Sequence, residues 1–246
     1  MSGDAYGTGS GTGSTARGGG QTTSVQLRGA GLDPQDKKVV CKAVCVCSRE
    51  PDEGASGQSL KQQCVSRNLR DVDRAMDWQS PYKAEVNYDM SKAPPAPIMR
   101  SANPLEAHPY LPGWIKKYWP GGEDEYPAGS GAVRRPDVVI VKDGSLPPTQ
   151  DNIKNIVEVK FPPQAPDLGQ TEDYETIAGA PNKVVVLGPQ NCDCSDDDGG
   201  ENPVKAAVSD ALSELGRSLR ALSNARLPGA GPGFGLPPPS APPVIP

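Results

Sequence analysis

The sequence predicts an α/β chain with a mixed β-sheet flanked by helices, and three observations carry that expectation. The apolar runs Val138-Val139-Ile140-Val141 and Ile156-Val157-Glu158-Val159 bracket a cluster of turn formers from Asp143 to Asn152, the pattern of a β-hairpin. Leu60 to Trp78 and the stretch after Asn202-Pro203 repeat apolar residues at helical spacing, one face per helix. Lys183-Val184-Val185-Val186-Leu187 is short and continuously apolar, as a buried strand is, and it is expected beside the Glu158 strand after a crossover.

Taken in chain order, residues 1 to about 24 are almost wholly Gly, Ser, Thr and Ala. Such a segment cannot bury a core, so disorder is expected there. The run Val39 to Val46 reads as a strand. Leu60 to Trp78 reads as a helix, with Val65, Leu69, Val72 and Met76 on its apolar stripe. In Tyr82 to Met90 the signals divide: Ser80-Pro81 suits the start of a helix, whereas Tyr82, Ala84, Val86 and Tyr88 alternate like a strand. Trp114, Tyr118 and Trp119, next to Lys116 and Lys117, serve either to pack the core and cover the sheet or to stack bases. After residue 202 a helix is expected with Val204, Val208, Leu212, Leu215, Leu219 and Leu222 along one stripe and Arg217 and Arg220 near its negative end. The chain then turns Gly- and Pro-rich. The expected organisation is an N-terminal segment 1–34, one folded domain 35–227 and a Pro/Gly-rich tail 228–246.

The hairpin delivers charge to one point. Side chains alternate along a strand, so Glu158 and Lys160 share a face while Val157 and Val159 point to the core. Strands symmetric about the loop pair residues whose numbers sum to 295, which sets Lys142 against Ile153 and Asp137 against Glu158. Opposed Cβ atoms lie about 5 Å apart, where two carboxylates repel unless a cation lies between them. Mg²⁺ favours that setting, with one or two carboxylates and further oxygen ligands. A turn aspartate and a solvated Glu-x-Lys face are the plainer readings of each element alone.

Together, Pro136-Asp137, an apolar strand, a turn and Glu158-Val159-Lys160 resemble the PD-(D/E)XK nuclease superfamily, and within it the VRR-Nuc family. The resemblance covers roughly residues 133 to 188. It implies a restriction-endonuclease-like core, Mg²⁺ or Mn²⁺ dependence and hydrolysis of DNA phosphodiesters. It also implies metal ligation by Asp137, Glu158 and the intervening Val159, a water-positioning role for Lys160, and a further acidic ligand from an upstream helix. Glu85 is the candidate for that ligand and Asp89 the fallback. Gln170 stands where the family's following helix places a glutamine, although Phe161-Pro162-Pro163 here replaces the usual glycine and delays the helix. Arg134 and Arg135 are candidates for holding DNA phosphates.

The remaining composition bounds the setting. The net charge of −5 argues at first against a nucleic-acid partner, yet Asp193, Asp196, Asp197, Asp198 and Glu201 account for it. Near the motif Arg134, Arg135, Lys142, Lys154 and Lys160 outnumber the acids. Six cysteines fit three readings: disulfides, a zinc site, or burial as small hydrophobes; Cys41, Cys45 and Cys47 lack paired C-x2-C spacing. The single histidine, His108, lies in a Pro-rich connection without a nucleophile motif, which disfavours a histidine triad. P-loop and Rossmann glycine patterns are also missing. No apolar stretch is long enough for a membrane span and the N-terminus lacks the order of a secretory signal, so no membrane association is expected.

VRR-Nuc domains occur in DNA repair and phage nucleases and in interbacterial toxins, including type VI secretion effectors. The small domain, the cysteines and the flexible ends resemble the toxin group. That resemblance implies an immunity protein as partner, contact with a secretion-system spike component, release by a contact-dependent route and action in the target-cell cytoplasm. A non-catalytic partner-binding module is the reading from a different class.

Overall fold

The computed structural model describes residues 31–194 together with 204, 206–210 and 213. The Gly/Ser-rich beginning, the proline-rich tail and most of the expected last helix, including Leu212, Leu215, Leu219 and Leu222, lie outside the described residues. Of that helix, Val204, Val208 and neighbouring positions are helical, and both valines are buried.

The described chain is mixed α/β. It opens with α1 (Pro34–Arg49), whose N-cap Asp33 accepts from the N–H groups of Gln35 and Asp36. This corrects the strand expected at Val39 to Val46. Val39, Val40, Ala43, Val44 and Cys47 are buried at helical intervals, and the Asp33-Pro34 start fixes the first turn. The small strands β1 (Asp52–Glu53) and β2 (Ser59–Leu60) pair with each other ahead of α2 (Lys61–Ala75). α2 is the expected helix: Val65, Leu69 and Val72 face inward.

Next come β3 (Tyr82–Ala84), β4 (Tyr88–Asp89), β5 (Ala96–Pro97), β6 (Met99–Arg100), β7 (Asn103–Ala107), α3 (Leu111–Tyr118) and β8 (Val133–Arg134). The hairpin strands β9 (Val138–Val141) and β10 (Ile153–Val159) follow, then α4 (Leu168–Ala178) and β11 (Val184–Leu187). The main sheet has the order β11-β10-β9-β3. β11 lies parallel to β10, while β9 is antiparallel to both β10 and β3. α4 is the crossover between the parallel strands, as a parallel pair requires.

The hairpin register is the expected one over Ile140↔Asn155, Val139↔Ile156 and Val138↔Val157. Towards the loop it shifts. Val141, not Lys142, faces Ile153, and the Lys142 N–H donates to the Asn152 carbonyl at 2.8 Å. This irregularity turns Ile153 to the same side as Ile156, and both join one apolar cluster. The Asn152 amide secures the loop by donating to the carbonyls of Asp143, Leu146 and Pro147.

Both faces of the sheet are covered. Val138, Ile140, Val157 and Val159 pack with α1 and α2 residues, whereas Val139, Val141, Ile153 and Ile156 pack with Tyr174, Ile177 and Ala178 of α4. Three disulfides tie the first layer together: Cys41–Cys192, Cys45–Cys194 and Cys47–Cys64. Of the three cysteine readings the structure takes this one. Cys41 and Cys45, four apart, share a face of α1 and anchor it to the chain beyond β11; Cys47 bonds α2.

Candidate active site

The site lies where β9 begins and β10 ends. Pro136 has no N–H to extend a ladder, and regular pairing with β10 stops one residue later at Val138↔Val157. Asp137 bridges the gap with its side chain. Its carboxylate accepts the Val159 N–H at 2.7 Å, while its own carbonyl accepts the Glu85 N–H at 3.0 Å. Asp137 is thereby tied to the strands on both sides. It belongs to the same sheet face as Val139, so it emerges on the α4 side together with Glu158 and Lys160.

Glu158 is buried there. One carboxylate oxygen, Oε1, lies 2.6 Å from Lys160 Nζ. The other, Oε2, is buried with no hydrogen-bond partner. A buried carboxylate oxygen without a partner is costly and suits a donor or a cation; the Tyr174 hydroxyl is the protein group that bears on the same carboxylate. Burial pushes the Asp137 carboxyl up to about 7, and the neighbouring Glu158 charge pushes the same way. Two acids whose charges bear on each other, with the Lys160 ammonium against one of them, suit a divalent cation, whose oxygen-ligand chemistry matches both carboxylates.

Glu85 reaches the site by a different route from the upstream helix expected for it. β3 ends at Ala84, and Glu85 adopts the left-handed conformation with φ 52°. Of the divided signals in this stretch the strand reading is the one found, over Tyr82–Ala84 and Tyr88–Asp89, and the kink separates the two strands. Tyr82 and Ala84 face the α1/α2 cluster, but after the reversal Val86 and Tyr88 join the α4 cluster. The Glu85 charge bears on Asp137, yet its carboxylate is held by Arg70 Nη2 at 3.1 Å and Arg135 Nη2 at 3.7 Å. Among the described residues no group of three or more His, Cys, Asp and Glu side chains is gathered as a metal cage; the pair Asp137 and Glu158 is the acidic nucleus. Asp89, the fallback, is engaged with the Ser91 N–H and hydroxyl at 2.9 and 2.6 Å.

Gln170 is placed by the delayed helix. α4 starts at Leu168, where N-cap Asp167 accepts from the Gln170 N–H. The Gln170 side chain donates to the Tyr174 hydroxyl at 2.7 Å, and that hydroxyl donates to the Arg135 carbonyl at 3.0 Å. Burial raises the phenol's pKa, and the charges of Glu158 and Asp137 raise it further. Gln170 thus holds the hydroxyl of Tyr174, the residue next to the carboxylates. The Val159 carbonyl accepts from the Gln62 side chain at 2.7 Å, so α2 also borders the cleft. Arg135 stays exposed beside Glu85, whereas Arg134 pairs with Asp173 of α4.

Sequence reasoning missed Tyr174, Gln62 and Arg70. Tyr174 carried a signal, since it follows Gln170 by four residues on an expected helix and shares its face. Gln62 and Arg70 carried none, because their roles depend on how α2 lies against β3 and β10. In comparison with known proteins, no family model, no curated protein and no solved structure matches this chain. No helix of the described residues is long and apolar enough to cross a membrane.

Proposed function

We propose that the protein is a metal-dependent deoxyribonuclease with a restriction-endonuclease-like core. The single observation that carries this reading is the convergence of Asp137 and Glu158 at the open end of the hairpin, with Glu158 Oε2 left unpartnered and Lys160 beside it. The order β11-β10-β9-β3 with helices on both faces supports the same assignment.

Asp137 and Glu158 would hold Mg²⁺ or Mn²⁺; the Val159 carbonyl, the third ligand that the family resemblance implies, accepts from Gln62 and would have to exchange that bond for the ion. When bound, such an ion lowers the pKa of a ligating water and offsets charge on the phosphate. Lys160 keeps an ammonium against Glu158, positioned to orient a water or to steady developing negative charge. Tyr174 and Gln170 fix the wall opposite the carboxylates, and Arg135 offers an exposed guanidinium at the cleft mouth. Glu85 contributes through the electrostatics of Asp137 and through the two arginines it holds.

The biological setting follows the family resemblance: an antibacterial effector released by a contact-dependent secretion system, neutralised by an immunity protein. Three disulfides support passage through an oxidising environment. A DNA repair or phage nuclease is the alternative. Expression separates the two, since an effector arrests a host lacking its inhibitor and fragments the genome while a repair enzyme is tolerated.

The activity itself is tested by plasmid cleavage with Mg²⁺ or EDTA. Asp137→Ala, Glu158→Ala and Lys160→Ala should each abolish cleavage while retaining the wild-type circular dichroism spectrum. Nicking by folded Glu158→Ala at the wild-type rate would end the reading.

A further inference from the structure

Beside the carboxylates lies a separate cavity of about 150 Å³, whose wall includes Arg70, Trp78, Glu85, His108 and Arg135. It is small enough to admit one base and too small for a duplex. Its floor is a buried ion pair, Lys83 Nζ to Asp73 Oδ1 at 2.9 Å, which neutralises itself. Its rim holds two further carboxylates and three arginines: Glu106 is paired with Arg100 at 2.8 Å, while Glu85 is shared by the guanidinium groups of Arg70 and Arg135 and Arg74 stands nearby.

A second, independent observation concerns the backbone. Among the described residues three non-glycine positions have positive φ: Asp77 at 52°, Trp78 at 60° and Glu85 at 52°. Two of the three line this one cavity and the third adjoins it. Each is held by a backbone hydrogen bond, from Asp77 to the Arg74 carbonyl, from Trp78 to that of Asp73 and from Glu85 to that of Asp137. Asp77 and Trp78 close the C-terminal end of α2, where a left-handed residue with these backbone bonds is an ordinary helix cap; Glu85 is the one of the three outside a helix end, and a conformation of that kind costs free energy. Together the three bring an indole and a carboxylate with two arginines to opposite parts of one small space.

We infer that this cavity is a nucleotide subsite, taking the unit next to the bond being cut, with its phosphate on Arg70 and Arg135 and its base against Trp78. Guanidinium groups match phosphate geometry with two parallel donors, and the Trp78 indole, over which the Arg74 guanidinium now lies at 5.6 Å, supplies a sequence-tolerant stacking surface to a base that displaces it. Glu85 keeps both arginines aimed at the cleft until a phosphate takes its place. The inference rests on the nuclease reading and deepens it: Arg70 and Trp78 become positioning residues for substrate.

The test compares two substrates. An oligodeoxynucleotide occupies the subsite, whereas bis(p-nitrophenyl) phosphate presents a diester with no neighbouring nucleotide. Arg70→Ala and Trp78→Ala should each raise KM on the oligonucleotide about tenfold, with a much smaller change on the small diester, and Arg70→Lys should recover part of the loss. Equal losses on both substrates, or no loss on the oligonucleotide, would overturn the subsite. If the wild type hydrolyses neither substrate with Mg²⁺ or Mn²⁺, the nuclease reading has failed instead. The cavity is then judged by titrating deoxyadenosine monophosphate against tryptophan fluorescence: a saturable quench that Arg70→Ala weakens supports it, and no quench by the wild type refutes it.

Discussion

The layer built from α1 and α2 and the strand-end edge that carries Asp137 and Glu158, at the ends of the two inner strands, adjoin one sheet but are made on opposite terms. In the layer, Val39, Val40, Val44, Val65 and Leu69 are almost completely buried against Val138, Ile140, Val157 and Val159, and three disulfides close it. At the edge, the charge of Glu158 bears on the Asp137 carboxyl, Glu158 Oε2 lacks a partner and Glu85 sits in a left-handed conformation. The difference shows where stability is generated and where it is given up. A fold that tolerates such conflict on one side needs reserve on the other, and sites of local conflict are where function concentrates.

The sharpest way to break this contrast is reduction. Opening all three bridges should lower the melting temperature more than any single substitution, since each disulfide contributes about 2–4 kcal/mol. Thermal unfolding with and without reductant reads the effect; an unchanged transition would mean the layer does not depend on its staples.

The next effect lies at the edge. Asp137 titrates higher in the folded protein than in an unfolded chain, so the folded state binds the proton more tightly. Its contribution is greatest at low pH and is lost as pH rises from about 4 to about 7, an effect on the order of 2–4 kcal/mol. In metal-free buffer Asp137→Asn should flatten that part of the stability profile and be more stable than wild type at pH 8. A variant with the wild-type slope would remove Asp137 as its source. The same titration makes metal binding weaken below about pH 7, because proton and cation compete for one carboxylate.

Tyr174→Phe should be milder: the fold is kept, the hydroxyl bonds to Gln170 and Arg135 are lost, and stability falls by about 1 kcal/mol together with cleavage rate. A variant with full activity would make Tyr174 a packing residue alone. The smallest expected change is at the exposed Arg67–Asp52 pair of the layer. Arg67→Ala should shift stability by less than about 1 kcal/mol, and a larger loss in denaturant titration would show that surface charge, not the buried interior, carries the layer.

Much of the edge was legible in the sequence because strands have a fixed period of two. That period put Asp137, Glu158 and Lys160 on one face, and the turn chemistry of residues 143 to 152 fits the register found from Val138 to Ile140, though not that near the loop. The irregularity at Ile153 was not legible, since it depends on both Ile153 and Ile156 finding room under α4. The same holds for Val39 to Val46, where β-branched residues suggested a strand while capping at Asp33 and packing against α2 made a helix. Glu85 was the hardest position: a single left-handed residue moves the following side chains to the other core, and nothing in Ala84-Glu85-Val86 announces it. The disulfides needed the fold as well, because spacing alone does not bring Cys41 to Cys192.

Calorimetric titration of Mn²⁺ into the wild type and Glu158→Gln proteins at pH 8 tests the central claim most directly. The account predicts saturable binding by the wild type, with the affinity of Glu158→Gln reduced at least tenfold in a protein that remains folded. Equal binding by both proteins, or none by the wild type, would contradict it.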